Sequence, residues 1–242
     1  MSPLIRVMKL GTLSYEAGLK LQNLVAKNHI LGSGDLNTIL LLEHTPVYTV
    51  GLRTANYDKN IENKLRTLGT EFYRTNRGGL ITYHGPGQLV AYPILNLKDF
   101  KLTMKSYIVY LEKSIISLCN SLNLKAYTCE HTGVWINDRK VCAIGVHGSR
   151  YITTHGLALN CSIDVLKGFE HIIPCGIEGK GVTSLSKELK KSYSVNEAAD
   201  AFLNFFCDTF NCTYIHMPKE ENDNLLTDLS LNNNKISFLS WV

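Results

Sequence analysis

KVCAIGVHGSRYITTHGLALNCSIDVLKGFEHIIPCGIEGKGVTS, from Lys140 to Ser184, is the stretch around which this chain is organised. Val141 to Val146 is an apolar run that reads as a strand, and Tyr151 to Cys161 reads as another. Gly133 to Ile136, the Asn137-Asp138 turn and Arg139 to Val146 form a β-hairpin pattern, which puts Lys140 near the start of the second hairpin strand. Gly156 inside a strand predicts close approach of another backbone or of a ligand. Further on, the tripeptide Pro174-Cys175-Gly176 presents a thiol on a corner. Pro174 restricts its own φ and biases Ile173 toward an extended conformation, and Gly176 has no Cβ to keep a substrate from its backbone. Cys175 is therefore the best nucleophile candidate. A fixed ammonium such as that of Lys140 beside it lowers a thiol's pKa from about 8.5. The competing readings are a small buried hydrophobe for Cys175 and a solvated turn lysine for Lys140.

Working outward, the second informative run is Arg77-Gly78-Gly79-Leu80-Ile81-Thr82-Tyr83-His84-Gly85-Pro86-Gly87-Gln88-Leu89-Val90-Ala91-Tyr92. Its glycines are costly to order unless a tight turn or a ligand requires them. Gly78 and Gly79 remove side chains where an extended substrate must pass, and their N–H groups are expected to be free to donate. Arg77 offers a planar donor set for a structural carboxylate or a substrate oxygen. His84 is either a proton-transfer group or a hydrogen-bonded structural residue.

The remainder reads as scaffold. Ile5 to Leu10 is a first strand. Ser14 caps a helix with Ala17, Leu21, Leu24 and Val25 on one face. Thr38 to Glu43 is a strongly apolar strand, with the continuous run Ile39-Leu40-Leu41-Leu42 of a central strand buried on both faces. Gly32-Ser33-Gly34 breaks the chain before it. Asn60 is expected to cap a short helix carrying Ile61, Leu65 and Leu68, ended by Gly69. Gln88 to Leu95 is a strand. Thr103 or Ser106 caps a helix reaching about Leu122, with Cys119 as a packed thiol. Ser194 and Glu197 form a capping box for a helix burying Ala198, Phe202, Phe205, Phe206 and Phe210. This alternation, with its hairpin, predicts an α/β or α+β domain with mixed β-sheets flanked by helices. Residues 1–216 are expected to form the domain and the Asn-rich residues 217–242 a tail.

Composition narrows the function classes. A chain of 242 residues with 45% hydrophobic and 19% charged content suits a globular domain. The +4 net charge is spread out, without the basic stripe and interleaved aromatics of nucleic-acid binding. No apolar run reaches about 18 residues, so no membrane span is expected. No separable targeting peptide is visible before the fold starts at Ile5. Seven cysteines, without a Cys-x-x-Cys pair, argue against a disulfide framework and a zinc ribbon, and for a reducing compartment. Cys129 and His131 alone are a weak ligand pair, so no metal is expected.

The run Arg77 to Tyr92 and four further words resemble the lipoyl(octanoyl) transferases. Those words are Lys140 to Val146, His155-Gly156-Leu157-Ala158-Leu159-Asn160, Pro174-Cys175-Gly176 and Gly181-Val182-Thr183-Ser184. The long form, with Phe169 to Ile173 before Pro174 and Ser184 to Leu189 after Gly181, is similar to the animal mitochondrial members. The resemblance covers roughly residues 5 to 213. It implies a biotin/lipoate protein ligase architecture, a large and a small sheet flanked by helices. It implies an acyl-enzyme at Cys175, activation by Lys140, and an acyl pocket lined by Arg77, Gly78, Gly79, Leu80, Ile81, Thr82, Tyr83, His84, Ala143, Ile144, Gly145, Gly156, Leu157 and Ala158. The implied donor is octanoyl-acyl carrier protein. The implied acceptors are lipoyl domains of glycine cleavage H protein and of 2-oxoacid dehydrogenase E2 subunits, with no cofactor and a mitochondrial setting. An ATP-dependent lipoate or biotin ligase, a non-catalytic lipoyl-domain binder and a thioesterase using His171 or His84 are the alternatives.

Overall fold

In a computed structural model, residues 2–31, 36–52, 59–172, 180–218 and several positions between 220 and 227 are described. The expected break at Gly32-Ser33-Gly34, the Cys175 corner and the end of the tail lie outside these residues. β1 (Leu4–Leu13), α1 (Tyr15–Leu31) and β2 (Asn37–His44) open the chain, and β1 and β2 pair in parallel across the helix. Ser14 Oγ accepts the Ala17 N–H at the start of α1. The continuous apolar run of β2 has the expected cause. Ile39 and Leu41 enter one core and Leu40 and Leu42 the other, so both faces of the strand are covered.

β3 (Val47–Val50), α2 (Lys59–Thr67), β4 (Glu71–Arg74) and β5 (Thr82–His84) make a separate small unit, with β3 between parallel β4 and antiparallel β5. Its core holds Tyr48, Val50, Leu65, Phe72 and Ile81. Asn60 lies inside the first turn of α2 rather than at its cap, and Leu68, beyond the last turn, is exposed.

β6 (Gln88–Ile94), α3 (Met104–Ser121), β7 (Val134–Ile136), β8 (Arg139–Ser149) and β9 (Ile152–Asn160) follow. Thr103 caps α3 and Ser106 closes the box, so the two expected caps are one device. Asn137 and Asp138 both have positive φ, 47° and 60°, as a two-residue hairpin turn between β7 and β8 requires. A 3-10 turn (Asp164–Phe169), β10 (Gly181–Val182), α4 (Leu185–Leu189), α5 (Val195–Phe210) and β11 (Thr213–His216) complete the described elements. Ser194 and Glu197 cap α5 as expected, with Phe205 only partly buried.

Among the described residues the large sheet has eight strands in the order β10-β8-β9-β6-β2-β1-β11, with β7 also on β8. α3 and α5 pack on one face around Tyr107, Ile115, Phe202 and Phe206, and α1 packs on the other around Leu21 and Val25. The fold is thus mixed α+β with a large and a small sheet.

Candidate active site

Gln88 starts β6 and Asn160 ends β9, and these two side chains knit the sequence words together. Gln88 Nε2 donates to Asn160 Oδ1 at 2.9 Å, and Asn160 Nδ2 donates to the Thr183 carbonyl at 2.9 Å. The Thr183 N–H in turn donates to the Lys140 carbonyl at 3.0 Å. In the other direction Gln88 Oε1 accepts from His84 Nδ1 at 2.7 Å, and His84 Nε2 faces Thr49 Oγ at 3.3 Å. Arg77 donates to the Thr49 Oγ and carbonyl, both at 2.8 Å. One buried chain of hydrogen bonds therefore runs from Arg77 to the backbone of Lys140.

This network fixes the surroundings of Arg77 and His84. Among the described residues, Arg77 donates to backbone and hydroxyl oxygens. Its guanidinium donates to the carbonyls of Thr49, Gly78 and Leu80 and to the Thr49 hydroxyl, and it staples the glycine loop to β3. His84 is 7% exposed and hydrogen-bonded on both ring nitrogens. Burial first, then the neighbouring His44 and Arg77, hold its pKa well below the ordinary imidazole range, so it is neutral. The Gly78 N–H is not free either, since it donates to the Val146 carbonyl at 3.0 Å. The loop lies flat on β8 there, and a Cβ on Gly145 would stand 2.8 Å from the Gly78 oxygen. Gly156 permits a closer approach still: its Cβ would stand 2.1 Å from the Ala91 oxygen, which lets β9 lie against β6.

Lys140 is 6% exposed, not a solvated turn residue. Its Nζ donates to the Thr132 carbonyl at 3.1 Å and lies 4.8 Å from the centre of the Trp135 ring. Two strands hold its backbone: Trp135 of β7 and Val182 of β10 both pair with it.

A cavity of about 360 Å³ opens beside Lys140, within the about 300–1,000 Å³ range of small-molecule sites. Of the expected site residues, it gathers Arg77, Gly78, Gly79, Leu80, Thr82, His84, Lys140, Ala143, Ile144, Gly145, Gly156, Leu157 and Ala158. Ile81 and Tyr83 do not line it. Tyr83 alternates with Thr82 and His84 to the other side of β5 and packs on Tyr48 and Phe169, and Ile81, just before the strand, enters the small core. Cys175 lies outside the described residues. The chain approaches that segment from Ile172, packed on the small core, and leaves it at Lys180, whose Nζ lies 5.3 Å from the Trp135 centre.

Sequence reasoning missed several walls. Met104 and Ile108 of α3, Val146, Glu130, His131 and Thr132 border the cavity, as do Tyr15, Tyr92 and His155. Nothing in the spacing of Tyr15 or Met104 signals a site, because each comes from an element remote in sequence. His155 did carry a hint, since it stands inside the quoted word. Its φ is +58° within β9, a conformation that costs of order 1–3 kcal/mol for a non-glycine residue. Gln22 Oε1 accepts its N–H at 2.7 Å and Asn76 meets its Nε2 at 2.8 Å. Burial lowers the His155 pKa to about 3, and that of His44, which accepts from the Tyr92 hydroxyl, to about 4. The Tyr15, His84, Tyr92 and His155 rings thus give the cavity an uncharged aromatic patch beside Arg77. Burial also pushes the Cys119 and Cys161 thiols up to about 12 and Cys142 well above its usual value, so these cysteines are poor nucleophiles.

Residues 14–207 match the model of the lipoyl protein ligase A/B catalytic domain. The mitochondrial octanoyl-acyl-carrier-protein:protein N-octanoyltransferase of Danio rerio is 51% identical over 210 residues, covering 86% of this chain and 93% of that protein. The enzyme of that name from Homo sapiens is 45% identical over 224 residues, covering 88% and 96%. The octanoyltransferase of Mycolicibacterium smegmatis is 43% identical over 214 residues, covering 86% and 90%. Among solved structures, a lipoate-protein ligase A bound with ATP matches with a TM-score of 0.68 at 13% identity, covering 98% of this chain and 97% of that one. The bipartite lipoate protein ligase of Thermoplasma acidophilum matches at 0.67 and 16%, covering 94% and 92%. Those structures speak to the fold, and the sequence relatives to the branch within it. The chain belongs to the lipoyl protein ligase A/B catalytic domain family, among its octanoyltransferases.

Proposed function

We propose that this enzyme moves an octanoyl group from octanoyl-acyl carrier protein to a lysine of a lipoyl domain, through a thioester on Cys175. The observation that carries this reading is the cavity that gathers Lys140, the glycine loop and the small residues of β8 and β9. The Cys175 thiolate attacks the donor carbonyl, and Lys140 supplies the proton that the departing carrier thiolate takes up. The acceptor amine then attacks the acyl-enzyme, yields a proton to Lys140 and expels the Cys175 thiolate. Thioester exchange is nearly isoenergetic and amide formation drives the second step, so neither ATP nor a cofactor is needed. Backbone N–H groups at Cys175 and Gly176 are the proposed oxyanion donors. Arg77, Gly78, Gly79, Leu80, Thr82 and His84 shape one wall of the acyl pocket. Ala143, Ile144, Gly145, Gly156, Leu157 and Ala158 shape the other.

The catalytic unit in this reading is residues 1–216. The acceptors are lipoyl domains of glycine cleavage H protein and of 2-oxoacid dehydrogenase E2 subunits, and the setting is mitochondrial, as the names of the animal relatives support. The test is intact-protein mass after mixing the enzyme with octanoyl-acyl carrier protein in the absence of ATP, beside Cys175→Ser. One octanoyl adduct, labile to hydroxylamine and absent in the variant, is expected. Transfer only from free octanoate with ATP would establish a ligase instead.

A further inference from the structure

Trp135 is the largest fully buried side chain of the described core, at 1% exposure, yet two ammonium groups lie against its ring. Lys140 Nζ is 4.8 Å and Lys180 Nζ 5.3 Å from its centre. An indole face attracts a cation through its quadrupole but takes no proton from it. The ring is itself anchored, because Trp135 Nε1 donates to the His131 carbonyl at 3.0 Å. The next carbonyl, that of Thr132, accepts from Lys140 Nζ. One short turn at the cavity wall therefore holds both the ring and the ammonium.

From this geometry we infer that Trp135 is a positioning residue for Lys140, its ring face keeping the ammonium at the cavity wall. The inference rests on the proposed role of Lys140 beside the Cys175 thiol. A lysine stem has many rotamers, and the ring and the Thr132 carbonyl select one of them. The strand pairing reinforces this selection, since Trp135 and Lys140 are direct cross-strand partners in the β7–β8 hairpin. Lys180 meets the same ring and is tied to Asp138 at 3.2 Å.

The test compares Trp135→Leu and Trp135→Phe with the parent enzyme by two readouts. The first is NMR of the Lys140 side chain, identified by its loss in Lys140→Arg. A ring-shifted Cε–H₂ signal is expected in the parent, lost in Trp135→Leu and partly kept in Trp135→Phe. The second is the pH profile of Cys175 alkylation by iodoacetamide, together with kcat/KM for octanoyl transfer. Trp135→Leu is expected to move the acid limb to higher pH and to lower kcat/KM by about tenfold, the size of a lost cation–π contact, with Trp135→Phe recovering most of it. Should Trp135→Leu fail to fold, the intermediate displacement in Trp135→Phe carries the same information. An unshifted Lys140 signal in the parent overturns the inference. So does an alkylation profile that stays in place while activity merely follows the melting temperature. A parent enzyme that never accepts octanoate on Cys175 refutes the proposed function instead, and the NMR readout still decides whether Trp135 holds Lys140.

Discussion

Gln88 and Asn160 meet across the β6–β9 pair with a 2.9 Å hydrogen bond, and every polar atom of the Gln88 amide is engaged. Gln88 is 1% and Asn160 3% exposed, so neither can turn to water. Replacing Gln88 with Leu leaves His84 Nδ1 and Asn160 Oδ1 buried without partners. The expected loss is about 1–3 kcal/mol for each group stranded, read from urea unfolding. Transfer activity is expected to fall as well, because the same chain of bonds ends on the Lys140 backbone. Full stability in Gln88→Leu would show that ordered water replaces the amide.

Acid should weaken this fold through its buried histidines. His44 and His155 have folded-state pKa values depressed to about 4 and about 3, against about 6.5 unfolded. Above pH 6.5 both states are neutral at these sites and the fold loses nothing. Below it the unfolded chain binds protons that the folded chain refuses, so stability drops as pH falls. Each histidine contributes a slope of up to about 1.4 kcal/mol per pH unit, until pH reaches its folded pKa. Urea midpoints between pH 8 and 5 measure this. His155→Gln should reduce the slope, and a midpoint independent of pH would contradict the assignment.

Two small residues on β9 should answer differently to enlargement. Gly156→Ala forces a Cβ toward the Ala91 carbonyl and should destabilise the protein by about 1–3 kcal/mol, seen as a lower melting temperature. Ala158 faces the cavity. Ala158→Leu should keep the fold and shorten the pocket, lowering kcat/KM for octanoyl donors by at least about tenfold against butyryl donors. Equal losses for both donor lengths would place the acyl chain elsewhere.

The sequence made the frame legible where local chemistry and periodicity agreed. The Asn137-Asp138 turn, the Ser194-Glu197 box and the two-faced β2 are each specified by neighbours within a few residues. Short elements whose existence depends on distant partners were not visible: β10 is two residues long and exists because Arg139 and Lys140 lie beside it. At the site, glycine-rich words located the cavity, but their atoms serve other bonds than expected. Gly78 donates to Val146, and Arg77 donates to carbonyls. Ile81 and Tyr83 were lost to the pleat, whose phase a contiguous word does not reveal. Tyr15, Met104 and Ile108 reach the cavity only through tertiary packing.

The placement of β1 between β2 and β11 has a kinetic consequence. Leu4 pairs with Thr213, so the far edge of the large sheet joins opposite ends of the described chain. The loop closed by that contact is nearly as long as the domain, and its entropic cost must be met before any parallel ladder bond compensates. The β6, β8 and β9 strands that carry the cavity pair through much shorter loops. Assembly of the cavity-bearing half during synthesis can therefore run ahead of the edge that closes the sheet, and late damage to β11 should slow maturation more than it disturbs the chemistry.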